Sequence, residues 1–154
     1  MKIRDILAQG RPTLSFEVFP PKTEDAYDTV ERAAAKIATL KPDFMSVTYG
    51  AGGGTSDYTV GIASDIQKSG VTPLAHLTCV SSTRDKVHSV LEELKNHGIE
   101  NVLALRGDIP ADGRTPREYH YASELIHEIK QSGDFCIGAA CYPEGHVESA
   151  NKSV

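Results

Sequence analysis

Apolar and polar positions alternate along the chain between two periods. Short apolar runs occupy Thr13 to Phe19, Phe44 to Tyr49, Thr72 to Cys79, Asn101 to Leu105 and Cys136 to Tyr142, lengths that suit buried strands. Between them apolar residues recur at helical spacing. Tyr27, Val30, Ala34, Ile37 and Leu40 follow the first run, Val87, Val90, Leu91 and Leu94 precede the fourth, and Leu125, Ile126 and Ile129 mark the last of four expected long helices. Ser82 and Asp85 have capping-box spacing ahead of Val87, and Gly98 stands where a helix C-terminal glycine belongs. This βαβα order predicts an α/β fold of parallel strands covered by helices.

Polar residues collect at the C-terminal ends of successive runs: Glu17, then Thr48 and Tyr49, then His76 and Thr78, then Arg106 and Asp108, then Tyr142, Glu144 and His146. In a βα (TIM) barrel those ends build one mouth, where such folds place their sites. Within the first run Ser15 and Glu17 fall on one face and Leu14, Phe16 and Val18 on the other, as expected if the second set meets helices. A complete barrel has eight strands and usually takes about 250 residues. Residues 1–154 are therefore expected to be the N-terminal part of a single barrel domain, about five strands and four helices, with Glu148 to Asn151 opening a further helix. The competing fold is a doubly wound sheet of five strands. Against it, the turn Phe19-Pro20-Pro21-Lys22-Thr23 has no glycine and loses amide donors where a phosphate cradle needs them.

The candidate chemistry sits in two segments. Leu14-Ser15-Phe16-Glu17-Val18-Phe19-Pro20-Pro21-Lys22 sets one carboxylate in an apolar run that two prolines stop. Burying a lone carboxylate costs several kcal/mol or raises its pKa until it takes up a proton, which suits a general acid near neutrality. The structural alternative is an ion pair to a neighbouring strand, for example to Arg106. Leu103-Ala104-Leu105-Arg106-Gly107-Asp108 likewise delivers a cation, a glycine and a carboxylate at the end of a run, and the glycine allows close backbone approach.

Composition narrows the class. The 154 residues are 40% hydrophobic and 24% charged, with a formal charge of -5, and no basic stripe of the kind nucleic-acid binding needs. No run could span a bilayer, and the N-terminus is too broken for a signal-peptide core, so a cytoplasmic protein without a membrane partner is expected. Cys79, Cys136 and Cys141 are an odd set without a C-x-x-C pair, expected as free buried thiols, with Cys136 and Cys141 on opposite faces of one strand. His88, His97, His120 and His127 lack metal-ligand spacing, and no metal is expected.

Taken with His76-Leu77-Thr78-Cys79, the two segments resemble the methylenetetrahydrofolate reductase family, from about Leu14 to His146. The resemblance implies flavin-dependent reduction of 5,10-methylenetetrahydrofolate to 5-methyltetrahydrofolate, with electrons passing from NAD(P)H through bound FAD to folate. It implies that Glu17, in the F-E-x-F-P-P motif, protonates the folate ring nitrogen. It also implies that Arg106, Gly107 and Asp108 contact the flavin, Asp108 reaching the pterin ring as well. Further FAD contacts are implied at Thr48, Tyr49 and Ala51 in Val47-Thr48-Tyr49-Gly50-Ala51, at His76, at Tyr121 and Ala122, and at Tyr142 and His146. A homo-oligomer is expected. The loop Gly50 to Gly54 is richer in glycine than the family pattern and is read as a lid. Two other functions stay open: a truncated flavin or folate binding module without turnover, and a non-flavin barrel lyase using Glu17 and Asp108 as an acid/base pair. No strand-end lysine favours the Schiff-base form of the latter. The isolated chain is expected to self-associate through its last strand or to be marginally stable, to bind FAD weakly and to show no reductase turnover.

Overall fold

The structure is a computed structural model that describes residues 1–21, 23–49, 56–110 and 112–146. Five strands, β1 (Ser15–Val18), β2 (Phe44–Val47), β3 (Thr72–Thr78), β4 (Asn101–Leu105) and β5 (Cys136–Ala139), form one sheet in the order β1-β2-β3-β4-β5. Every neighbouring pair is parallel. The helices are α1 (Ile3–Leu7), α2 (Tyr27–Ala38), α3 (Ser56–Lys68), α4 (Arg84–Asn96) and α5 (Ala122–Ser132), with a 3-10 turn at Glu24–Ala26.

Strand order decides between the two expected folds. A doubly wound sheet reverses direction at its switch point so that helices cover both faces. Here the order never reverses, and with right-handed crossovers every connecting helix returns on the same face. The arrangement is that of an arc of a βα barrel.

Alternation along the strands sorts the residues onto the two faces. Val18, Met45, Val47, Ala75, Leu77, Val102 and Ala104 are buried in one core with Ala34 and Ala38 of α2, Val60, Ala63 and Ile66 of α3, Val87, Leu91 and Leu94 of α4, and Leu125 and Ile129 of α5. The opposite face carries Glu17 paired in register with Ser46, Ser46 with Leu74, and His76 with Leu103. Nothing among the described residues covers Glu17, whose side chain is 46% exposed. The burial expected of this carboxylate is therefore not found, because its neighbours in the run, Phe16 and Val18, point the other way into the helices.

Several local expectations are corrected. The first and last strands are shorter than their apolar runs, and Cys141 lies beyond β5. Only Cys79 is buried; Cys136 is half-buried and Cys141 exposed, all three as free thiols. The N-cap of α4 is Thr83, whose hydroxyl accepts from the Lys86 amide at 3.2 Å, rather than Ser82. The helix expected from Glu148 and the glycine lid at 50–54 lie outside the described residues.

The short helix α1 closes the end of the sheet opposite to the polar rim. Ile3 and Ile6 are buried, and Asn101, 1% exposed, fastens the segment. Its Oδ1 accepts from the Ile3 amide at 2.8 Å, and its Nδ2 donates to the carbonyls of Met1 at 3.0 Å and Pro73 at 3.1 Å. Asn101→Ala leaves three backbone groups without this partner, and a loss of about 3 kcal/mol is expected, since each buried orphan costs about 1–3 kcal/mol. Urea unfolding measures it. A loss under about 0.5 kcal/mol would mean that water replaces the amide, as at an ordinary surface site.

Candidate functional site

The open face gathers a carboxylate, a hydroxyl and an imidazole from three adjacent strands. Ser46 Oγ donates to Glu17 Oε2 at 3.0 Å, and His76 Nε2 lies 3.4 Å from the same oxygen. Parallel pairing places Ser46 beside Glu17, and the rise of β3 brings His76 to the same row. His76 is buried and its Nε2 has no hydrogen-bond partner among the described residues. Burial lowers the imidazole's pKa from 6.5, and the Glu17 charge opposes this only in part. The ring is therefore neutral at pH 7. Glu17 is met by Ser46 and His76; the sequence had offered Arg106 as its structural partner. Ser46 was not singled out from sequence, although alternation from Thr48 puts it on the face of Glu17.

The Arg106-Gly107-Asp108 turn is shaped by β3. The Arg106 carbonyl accepts from the amides of Cys79 at 3.2 Å and Val80 at 2.8 Å, continuing the pairing beyond both strands. Gly107 has φ 81°, and a Cβ there would lie 2.9 Å from Thr78 Cβ. The close approach that requires glycine is thus to Thr78 of the neighbouring strand. Asp108 follows as an exposed residue, and Arg106 Nε donates to the Gly107 carbonyl at 3.1 Å.

Cys79 joins this turn to α5. Its Sγ lies 3.9 Å from the Arg106 carbonyl and 3.8 Å from that of Tyr121. Burial pushes the thiol up to about 11, so it stays protonated and donates. Tyr121 is the exposed N-cap of α5 and Ala122 its first residue. The Glu124 carboxylate accepts from the amides of His120 at 2.6 Å and Tyr121 at 2.8 Å, which holds its pKa below the usual carboxylate range.

At the remaining strand ends, the Thr48 amide donates to the Val18 carbonyl at 3.0 Å and the Thr48 carbonyl accepts from the Thr59 hydroxyl at 3.0 Å. Tyr49 follows it, half-buried. Beyond β5 the rings of Tyr142 and His146 meet edge-on, 4.7 Å between centroids. Ala51 lies outside the described residues. Parallel topology thus sets the remaining candidates along one rim, with direct contact observed between Glu17 and His76. Among the described residues no three His, Cys, Asp or Glu side chains are placed to hold a metal ion, and no helix is long and apolar enough to cross a membrane.

A singly wound parallel α/β sheet with its polar groups gathered at the C-terminal strand ends is the class of protein that this fold and rim define. Residues 2–154 match the profile of the methylenetetrahydrofolate reductase family, and the chain belongs to that family. It is 40% identical over 142 residues to a 5,10-methylenetetrahydrofolate reductase of Pectobacterium carotovorum subsp. carotovorum, covering 92% of this chain and 47% of the relative. To the enzyme of that name from Escherichia coli (strain K12) it is 39% identical, with the same coverage. To methylenetetrahydrofolate reductase (NADH) 1 of Arabidopsis thaliana it is 39% identical over 154 residues, 96% of this chain and 26% of the relative. The chain spans about half the length of the bacterial relatives it matches.

The environment of His76 has a pH signature. Its folded-state pKa lies below 6.5, so the unfolded chain binds this proton more readily. The stability it contributes is full above about pH 6.5 and is lost as pH falls through the lower folded value. NMR titration of the His76 Cε1–H signal is expected to give a midpoint below 6.5. A midpoint at or above that value would mean that the Glu17 charge outweighs burial.

Proposed function

We propose that this chain supplies the catalytic acid and much of the flavin-binding rim of a methylenetetrahydrofolate reductase, as the N-terminal part of a single eight-stranded βα-barrel domain. The reaction is reduction of 5,10-methylenetetrahydrofolate to 5-methyltetrahydrofolate with NAD(P)H as donor. The observation that carries the proposal is the Glu17 carboxylate on the uncovered sheet face, fixed by Ser46 and flanked by a neutral buried histidine. Family membership and the singly wound strand order support it.

The residues present fit a flavin. His76 Nε2 is a buried polar atom without a hydrogen-bond partner among the described residues, 3.4 Å from Glu17 Oε2, and Gly107 draws the strand-end turn in against Thr78. Thr48, Tyr49 and Ala51 would hold FAD from the end of the second strand and His76 from the third. Arg106, Gly107 and Asp108 would do so from the fourth, with Tyr121, Ala122, Tyr142 and His146 beyond. Bound FAD would supply the hydride for the folate methylene carbon, having taken it from the nicotinamide.

Within that site Glu17 holds the proton that goes to the folate ring nitrogen and opens the five-membered ring. The Ser46 hydroxyl, donating to Oε2, stabilises the carboxylate left behind. A neutral His76 adds no cation that would discharge Glu17 prematurely. A general acid active near neutrality needs desolvation, and folate lying over this half-exposed face supplies it. Asp108 at the rim orients the pterin ring. Membership of the reductase family favours this chemistry over the acid/base pair of a lyase. The cytoplasm, where reduced nicotinamide and folate are available, is the compartment this activity fits.

A chimera in which this chain replaces the matched half of the Escherichia coli relative tests the proposal. With Glu17→Gln, flavin reduction by NAD(P)H is expected to survive, while folate reduction falls by roughly 10²-fold or more, the range for a general acid. Stopped-flow absorbance follows both half-reactions. Equal losses in both would make Glu17 a structural residue, and a chimera that holds no flavin would refute the cofactor assignment.

A further inference from the structure

On the helix-covered side, a second cluster forms around a buried carboxylate. Glu128 of α5 is 6% exposed. The Tyr119 phenol donates to its Oε2, Arg84 Nη1 donates to the same oxygen at 2.8 Å, and His88 Nε2 lies 2.8 Å from Oε1. The Arg84 guanidinium also sits 4.8 Å from the Tyr119 ring centroid. Arg84 further binds Glu118 twice, its amide donating to the carboxylate at 2.7 Å and its Nη2 to the carbonyl at 3.3 Å. Tyr119 is 1% exposed and heads the fully buried side chains by volume, although it comes from a segment outside helices and strands.

This geometry fastens one loop at several points. Tyr119 is held from α5 by Glu128 and from α4 by Arg84, while Glu118 is held by the first residue of α4. Burial and the Glu128 charge push the Tyr119 phenol up, so it remains a donor at any ordinary pH. Two residues later comes Tyr121, whose amide donates to Glu124 and whose carbonyl accepts from the Cys79 thiol, followed directly by Ala122. A displacement of Tyr119 would be passed on to these positions, since only His120 intervenes.

We propose that the buried Glu128 and Tyr119, with the half-exposed Arg84, form a clamp that positions residues 118–122, and thereby sets flavin affinity at a site none of the three touches. The proposal rests on the assignment of Tyr121 and Ala122 to the flavin site. The three are positioning residues: the phenol and guanidinium aim at the carboxylate, away from the open sheet face. A buried carboxylate that loses a donor is costly, so the clamp resists opening and holds the loop before any ligand arrives.

Tyr119→Phe removes a single hydroxyl and keeps the ring, and Glu128→Gln keeps the volume while leaving Arg84 without its counter-charge. Hydrogen exchange in the full chain without flavin is expected to quicken by about tenfold or more at residues 118–122 in both variants, with the amides of β3 and β4 unchanged. FAD titration is expected to show affinity weakened about fivefold or more, because the rim must then be ordered on binding. Unchanged exchange at 118–122, or equal quickening throughout the sheet, would overturn the clamp. Faster exchange with unchanged affinity would overturn its role in flavin binding. Parent chain that takes up no FAD would instead defeat the flavin assignment, leaving the exchange result to decide the clamp alone.

Discussion

Each strand pairs in parallel with the one immediately before it, and the rest of the structure depends on that constraint. Parallel neighbours need a crossover, crossovers are right-handed, and unreversed order sends every connecting helix to the same face. One face is consumed by packing against α2 to α5. The other is left for residues whose chemistry would be wasted in a core. Glu17, Ser46 and His76 can be neighbours only because three consecutive strands run side by side in the same direction.

The same constraint separates stability from chemistry along the strand axis, as in βα barrels generally. At the N-terminal ends, Asn101 and the buried isoleucines of α1 seal the sheet with hydrogen bonds to backbone. At the C-terminal ends the chain makes turns that expose polar groups, and Gly107 approaches Thr78 closely. The protonated thiol of Cys79 links two of those turns.

Much of the architecture was legible because it is periodic. The apolar runs located all five strands, the helical stripes located the faces of α2, α4 and α5, and alternation put Glu17 and Phe16 on opposite sides. What stayed hidden is non-local or short. Helix α1 has only five residues and a single buried pair, and its stability comes from Asn101, about a hundred positions away. The exposure of Glu17 follows from what lies over the face, which neighbours in sequence do not report. Ser46 lies inside an apolar run that hides it, although alternation puts it on the face of Glu17 and pairing sets it in register. Tyr119 carries no periodic signal; only the approach of α4 to α5 buries it against Glu128.

The central claim is that the open face and its C-terminal rim form the ligand side of the sheet. Mapping FAD-induced amide shifts by NMR on the isotopically labelled chain tests it most directly. Shifts are expected at Thr48, Tyr49, His76 and Arg106 to Asp108, with His88 and His127 on the helical side undisturbed. Shifts confined to the α4–α5 cleft around His88 and His127, or none at saturating FAD, would contradict the account.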